Sequence, residues 1–206
     1  MHSRYSRDCL NSLEGIIRTC QKKGLNVICV TDHNAIEGAL RLRDMSPLPV
    51  IVGEEIKTDS GEILAYFIET HIPAGLPPAE TIQRVREQGG VVSIPHPFDG
   101  LRHEAMRQAN VTRIVALVDA IEVFNARCLL PSYNRKAAVF AEERGLPATA
   151  GSDAHTLAEI GCAYLEMPYF SSRDEFLKNL PLAEVHGRLS IPIVHLASTV
   201  NKWIKH

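Results

Sequence analysis

Residues 26–33 read NVICVTDH, a short apolar run that ends in an acidic residue and a histidine. Three further segments repeat this arrangement, namely PVIVGEE at 49–55, VVSIPHP at 91–97 and PATAGSDAH at 147–155. Short β-branched runs bounded by Gly, Pro and Asn indicate strands, and runs that are apolar throughout indicate strands buried on both faces. The four segments therefore predict the buried strands of a parallel sheet covered by helices.

Helical patterns lie between these strands. Apolar residues recur at helical spacing in the segments 13–20, 78–88, 134–144 and 173–180. Ser12 is placed to cap the first helix and Gly24 to end it. Further strands are expected at 63–68, 121–124 and 163–167. Alternation of strands and helices indicates βα units, so we predict an α/β fold.

Length and composition limit the possible functions. The chain has 206 residues, which corresponds to one domain, and its 45% hydrophobic content excludes a disordered chain. The net charge of -2 gives no basic excess, so we expect no long nucleic acid as a partner. Five cysteines without a CxxC pair indicate reduced thiols, and no apolar run is long enough to cross a membrane. These features, with a polar N-terminal segment, favour a cytoplasmic protein without a membrane partner.

Acidic and histidine side chains cluster after the predicted strands and near the start of the chain. They are His2, Asp8, Asp32, His33, Glu54, Glu55, His96, Asp153 and His155. Ligands bind beyond the carboxyl ends of strands in α/β folds, so we expect these side chains to converge. Mixed imidazole and carboxylate ligands suit zinc, manganese or iron, and so large a set suits a bridged pair of ions. Taken singly, Asp32 could cap a helix that begins near Ala35, but recurrence at four strand ends favours a metal site.

Six pieces of the chain carry a family resemblance. They are HSRYSRD (2–8), TDH (31–33), GEE (53–55), IPHPF (94–98), IEVFNAR (121–127) and GSDAH (151–155). In this order they resemble the polymerase and histidinol phosphatase (PHP) superfamily of metal-dependent phosphoesterases. The resemblance implies a distorted (β/α)7 barrel, two or three divalent ions (Mn, Zn or Fe), and hydrolysis of a phosphate ester by a metal-bound hydroxide. We expect the domain to span residues 1–182, with a C-terminal tail at 183–206 whose IVHLASTV stretch is compatible with a helix packed on the domain.

The resemblance also suggests roles for individual residues. The positions that match metal ligands are His2, Asp8, His33, Glu55, His96, Asp153 and His155. The residues expected to act directly in catalysis are Glu55, Asp153 and His155. The residues expected to bind substrate at the same mouth are Arg4, Arg102, Asn125 and Arg127. An arginine fork matches phosphate oxygens, and the asparagine amide can orient substrate or water.

Two features depart from the family pattern. The family begins its first motif with His-x-His at the end of the first strand, whereas this sequence starts at Met1 and His2. We therefore expect a truncated first strand and one ion with a ligand missing. Many relatives place another histidine on the strand after the glutamate motif, and Glu62 stands near that position here. Glu62 is either a carboxylate ligand or a solvated turn residue.

The sequence thus favours a metal-dependent phosphoesterase that acts on a small phosphorylated molecule or a short oligonucleotide. Two alternatives remain open. The same metals could hydrolyse a C–N bond, as in amidohydrolase-like barrels, although Lys57 is the only lysine near a predicted strand end that could be carboxylated there. The domain could also be a metal-binding module with weak or no activity and a regulatory or structural role, which the absent first histidine supports.

Overall fold

The computed structural model of the chain describes residues 1–191 together with Val194 and Asn201. The α-helices in this part are α1 (Leu13–Lys22), α2 (Glu37–Met45), α3 (Pro78–Glu87), α4 (Gln108–Ile114), α5 (Pro131–Glu143) and α6 (Arg173–Asn179). The strands are β1 (Ile28–His33), β2 (Val50–Thr58), β3 (Gly61–Tyr66), β4 (Val91–Ile94), β5 (Ala120–Asn125), β6 (Ala148–Gly151), β7 (Ala163–Glu166) and β8 (Glu184–Gly187).

Six strands form one curled, half-barrel sheet in the order β1-β2-β3-β4-β5-β6, and β7 pairs with β8 beside it. This architecture confirms the predicted α/β fold of the distorted-barrel type. The four strands predicted from the strand-end segments, β1, β2, β4 and β6, run in the same direction, whereas β3 runs antiparallel to both β2 and β4. Only Asp59 and Ser60 separate β2 from β3, and so short a connection can join only antiparallel strands.

The predicted helices form where the capping residues indicated. The Ser12 side chain accepts a hydrogen bond from the Gly15 N–H at 3.1 Å, and Gly24 follows α1 with a left-handed φ of 72°. The sequence pattern did not identify α4, which begins after Arg107 without a side-chain cap. The apolar faces of these helices pack on the sheet, and Ile16 and Val85 are fully buried there.

The first two residues join the two ends of the sheet. The Met1 amine donates to the Cys29 carbonyl at 3.4 Å, and the Thr31 N–H donates to the Met1 carbonyl at 3.0 Å. These bonds follow the pattern of a parallel strand pair. The His2 N–H donates to the Ala154 carbonyl at 3.0 Å. His2 is thereby fixed between β1 and the segment that follows β6.

The end of the chain is described only in part. Residues 184–187, which lie within the expected tail, form β8 against β7. The expected helix at 193–200 lies outside the described residues except for Val194. The division at residue 182 therefore stays a prediction. Within the described part of the chain, no helix has the length and apolar character needed to cross a bilayer.

Candidate metal centre

The predicted strand-end residues meet at one edge of the sheet. His33 ends β1, Glu55 lies in β2, and His96 follows β4. Asp153 and His155 follow β6. Parallel strands end at a common edge, so the topology itself brings these side chains together. The N-terminal segment adds His2 and Asp8 to the same edge, as the distances below show.

Glu55 lies at the middle of the cluster. Its Oε2 is 3.3 Å from His2 Nε2 and 3.5 Å from His33 Nδ1. Its Oε1 is 3.1 Å from His96 Nε2. One carboxylate therefore faces three imidazoles.

Asp153 and Asp8 form the other side of the cluster. Asp153 Oδ1 is 3.1 Å from His2 Nε2, and Asp8 Oδ2 is 3.3 Å from His155 Nε2. The ring centroids of His2 and His33 lie 4.4 Å apart, and those of His2 and His155 lie 4.3 Å apart. Three imidazoles thus pack against one another.

Glu62 is part of this cluster as well. Its carboxylate oxygens lie 3.5 Å from His33 Nδ1 and 3.6 Å from His96 Nε2. The solvated-turn alternative is wrong, because Glu62 is only 4% exposed. Since β3 runs antiparallel, its first residues lie at the edge where β2 ends. Burial and the neighbouring Glu55 carboxylate raise the pKa of Glu62 to about 8.

The donor atoms fit divalent metal ions. Three groups have donor atoms within 4.8 Å of one another: His2, His33 and His155; His2, Glu55 and Asp153; and His33, Glu55 and Glu62. Burial lowers the pKa of His2, but the adjacent Asp153 and Glu55 carboxylates outweigh it and raise the pKa to about 10. The carboxylates thus favour a positive charge at their centre. Buried carboxylates require such compensation, and nitrogen and oxygen donors suit Zn, Mn or Fe.

Two of the clustered residues have a strained backbone. His96 has a φ of 27° and Asp153 a φ of 49°, both in the left-handed region that glycine favours. Such conformations persist where the surrounding contacts hold them, and they concentrate at functional sites. The His96 N–H donates to Glu122 Oε2 at 2.6 Å, which fixes the first of them.

Glu122 is not among the residues that the sequence pattern predicted for the site. Its carboxylate is buried and also accepts a hydrogen bond from Asn125 Nδ2 at 3.0 Å. The available signal was a charged residue inside the apolar run IEVF of a buried strand. Such a residue needs a polar partner, and here the partners belong to the cluster.

The four expected substrate-binding residues differ in position. Arg102 lies at the cluster, with Nη1 2.6 Å from Asp153 Oδ2. Arg127 is buried, and its Nε lies 3.3 Å from Glu159 Oε1, so the geometry gives no support to a phosphate contact. Arg4 is exposed. The Asn125 side chain is 1% exposed and bonded on both its oxygen and its nitrogen to protein groups.

Two acidic residues of the strand-end segments lie outside the cluster. Asp32 does not cap α2, because that helix begins after Ile36 without a side-chain cap. Instead its carboxylate accepts bonds from the Ser3 N–H at 2.6 Å and the Ser3 hydroxyl at 2.5 Å, which anchors the segment after His2. Glu54 Oε1 lies 2.8 Å from His71 Nδ1.

Comparison with known proteins identifies the family of this chain. The chain matches the family model "PHP domain" over residues 1–88 and the model "PHP-associated" over residues 131–185. It is 36% identical over 192 residues to the uncharacterized protein MJ0417 of Methanocaldococcus jannaschii, covering 88% of this chain and 77% of that protein. The chain therefore belongs to the PHP family of metal-dependent phosphoesterases, as the sequence motifs predicted.

Solved structures share the fold at low sequence identity. A two-domain protein from Bacteroides vulgatus, described as containing a predicted PHP-like metal-dependent phosphoesterase, superposes with a TM-score of 0.74 at 18% identity, over 91% of this chain and 63% of that one. The lesion-specific endonuclease PfuEndoQ from Pyrococcus furiosus gives 0.60 at 15% identity, over 90% of this chain and 56% of that one. These likenesses confirm the PHP-like distorted barrel.

Proposed function

We propose that this protein is a metal-dependent phosphoesterase that hydrolyses the phosphate ester of a small molecule or a short nucleotide. The observation that carries this proposal is the convergence of four imidazoles and four carboxylates at one sheet edge. They belong to His2, His33, His96, His155, Asp8, Glu55, Glu62 and Asp153. These residues come from both halves of the chain, and only the fold brings them together.

Two or three divalent ions (Mn, Zn or Fe) would be held by the three groups of donor atoms. His2, His33 and Glu55 each belong to two of these groups. Of the three, only the Glu55 carboxylate has two oxygens that could each bind a different ion, so Glu55 is the proposed shared ligand. Ions bound there would polarise phosphoryl oxygens and would lower the pKa of a bound water molecule. Asp153 is also suited to bind these ions, because its carboxylate stays ionised. Burial would raise its pKa, but the Arg102 guanidinium and the neighbouring histidines outweigh burial and keep the pKa well below its usual range.

Arg102 is the residue best placed to bind the phosphate. Its side chain is 22% exposed and therefore reaches solvent, while Nη1 contacts Asp153. The guanidinium presents several N–H donors in a plane, so it can donate to phosphate oxygens without leaving the aspartate. Its charge would also stabilise negative charge that develops on the phosphoryl group.

The substrate is proposed to be small. The net charge of -2 offers no basic surface for tracking a long nucleic acid. PfuEndoQ shares the fold and is an endonuclease, which is compatible with a nucleotide substrate here. The amidohydrolase alternative lacks its lysine, because the Lys57 side chain is exposed on β2.

The test combines metal analysis with a panel of phosphate esters. The purified protein is analysed for bound metal, then assayed with Mn²⁺ or Zn²⁺ on p-nitrophenyl phosphate, its bis ester, histidinol phosphate and a short oligonucleotide. We expect at least two ions per chain and hydrolysis that Asp153→Asn abolishes. The matched control is Asp174→Asn, since Asp174 is exposed on α6. Bound metal without hydrolysis of any ester would favour the inactive module, and a protein that binds no metal would contradict the proposal.

A further inference from the structure

We propose that Asn134 is a positioning residue for the metal centre and that it acts through Asn125. This inference rests on the proposed metal binding, but not on the identity of the reaction. Asn134 lies on α5 beside the buried Ala137 and Ala141, on the face that packs against β5. Its side chain is a buried amide in an apolar stripe, which requires a polar partner.

The partner is the main chain of Asn125. Asn134 Oδ1 accepts the Asn125 N–H at 3.1 Å, and Asn134 Nδ2 donates to the Asn125 carbonyl at 3.1 Å. The pairing of β4 with β5 ends at Ile121, so β5 continues to Asn125 without β4 beside it. The pairing of β5 with β6 is irregular between Glu122 and Phe124. Asn125 still pairs with Gly151 of β6, and the Asn134 amide supplies further main-chain hydrogen bonds to this residue, which β4 does not reach.

The side chain of Asn125, whose main chain is held by Asn134, makes hydrogen bonds to residues of the cluster. Its Nδ2 donates to Glu122 Oε2 at 3.0 Å and to Asp153 Oδ2 at 3.4 Å. Its Oδ1 accepts from the Arg127 N–H at 2.9 Å and from Arg102 Nη2 at 3.3 Å. With its oxygen and nitrogen both engaged by protein groups, Asn125 connects residues of the cluster to one another, and its expected contact with substrate stays a prediction.

Two strained residues lie at the ends of these contacts. Asp153 is bonded to Asn125 directly, and His96 is held through Glu122, whose Oε2 accepts the His96 N–H at 2.6 Å. Both residues have left-handed φ values that depend on surrounding contacts. Asn134 has hydrogen bonds to neither of them in the described structure, yet its loss would release Asn125 and loosen both.

The test measures Mn²⁺ affinity by electron paramagnetic resonance titration in Asn134→Ala, Asn125→Ala and the double variant. Gln88→Ala is the matched control, because the Gln88 amide makes a similar clamp elsewhere: it accepts from the Thr70 N–H at 2.8 Å and donates to the Thr70 carbonyl at 3.0 Å. We expect Asn134→Ala to weaken Mn²⁺ binding about 10- to 100-fold, and Gln88→Ala to leave it unchanged. In the Asn125→Ala background, Asn134→Ala should add little, because both variants break one chain of contacts.

Wild-type Mn²⁺ affinity in Asn134→Ala, or losses that add fully in the double variant, would overturn the proposal. If Asn134→Ala does not fold, Asn134→Asp carries the test, since it keeps the acceptor for the Asn125 N–H and removes the donor; it should weaken binding in the same direction. Hydrolysis is measured separately, and a lowered kcat with little change in KM is expected. If the wild-type protein binds Mn²⁺ but hydrolyses no ester, the phosphoesterase function is refuted, and the Mn²⁺ affinities of the variants alone decide the positioning role of Asn134. If the wild-type protein binds no Mn²⁺, both proposals are refuted.

Discussion

Glu54 and Glu55 are neighbours on β2 whose side chains point to opposite faces of the strand. Glu55 faces three imidazoles, and Glu54 accepts the Ile72 N–H at 3.1 Å on the other side. We predict that Glu55→Gln lowers Mn²⁺ affinity and hydrolysis at least about tenfold more than Glu54→Gln, because only the first removes a shared charge from the cluster. Titration calorimetry and the ester assay measure the two effects. Equal losses in two folded variants would contradict the prediction.

Much of the site could be predicted residue by residue, because its members stand at strand ends. His33, His96 and Asp153 come at the ends of apolar runs, and the order of the strands brings these ends to one edge of the sheet. Glu122 and Asn134 could not be predicted as part of the site, because each lies inside a strand or a helix, where a polar residue has many possible partners. Their contacts depend on the packing of α5 on β5, which spacing along the chain does not specify.

Cys20 illustrates how burial controls a single thiol. It is fully buried, and burial raises its pKa to about 11; burial raises the pKa of the half-buried Cys29 to about 11 as well. At pH 8 such a thiol is ionised in roughly one molecule in a thousand, and only the thiolate reacts. We predict that the folded protein reacts slowly with Ellman's reagent at pH 8, whereas all five cysteines react in guanidinium. Rapid reaction of two or more thiols before unfolding would show that the packing is looser than described.

The direction of β3 determines how one strand contributes to the site. The run at 63–68 indicated a strand, but an apolar run carries no information about its direction. The short DSG connection at 59–61 was the available signal, and Gly61 has a φ of 127° there. Glu62 follows this turn, so the hairpin explains why a residue at the start of a strand joins others at strand ends.

The last residue of β6 allows a test of the support beneath the cluster. A Cβ on Gly151 would overlap Glu122 Oε1, and Glu122 cannot move without releasing the His96 N–H. We predict that Gly151→Ala costs about 1–3 kcal/mol of unfolding free energy and weakens Mn²⁺ binding as well. Denaturant titration and Mn²⁺ titration measure the two effects.

Gly90→Ala is the control for this substitution. A Cβ on Gly90 would lie 2.6 Å from Val85 Cγ1 and 2.8 Å from Ile68 Cγ2, and Gly90 directly precedes β4, whose opposite end leads to His96. We expect Gly90→Ala to lower stability and to leave Mn²⁺ affinity unchanged. Unchanged Mn²⁺ affinity in Gly151→Ala would indicate that Glu122 does not support His96.

The proposed ions would join parts of the chain that are far apart in sequence. His2 and Asp153 lie 151 residues apart and contact each other at 3.1 Å, and the Asp8, Glu55 and Asp153 carboxylates, whose pKa values are lowered, place negative charge where cations would bind. We predict that Mn²⁺ at 100 times its Kd stabilises the fold by about 2.7 kcal/mol, which raises the Tm by several degrees, and that a chelator reverses the shift. Differential scanning calorimetry measures it. A Tm that does not respond to either treatment would argue against binding to the folded state.

The left-handed backbones of His96 and Asp153 have a consequence for how the sequence would change under selection. Glycine adopts this conformation at no steric cost. A population selected in the laboratory for heat resistance in the absence of metal would tend to accumulate glycine at both positions, because glycine relieves the strain and no bound ion stabilises the fold in return for the original side chains. The selected variants would be more heat-resistant but would have lost two of the proposed metal ligands. Only selection that rewards turnover would retain the histidine and the aspartate.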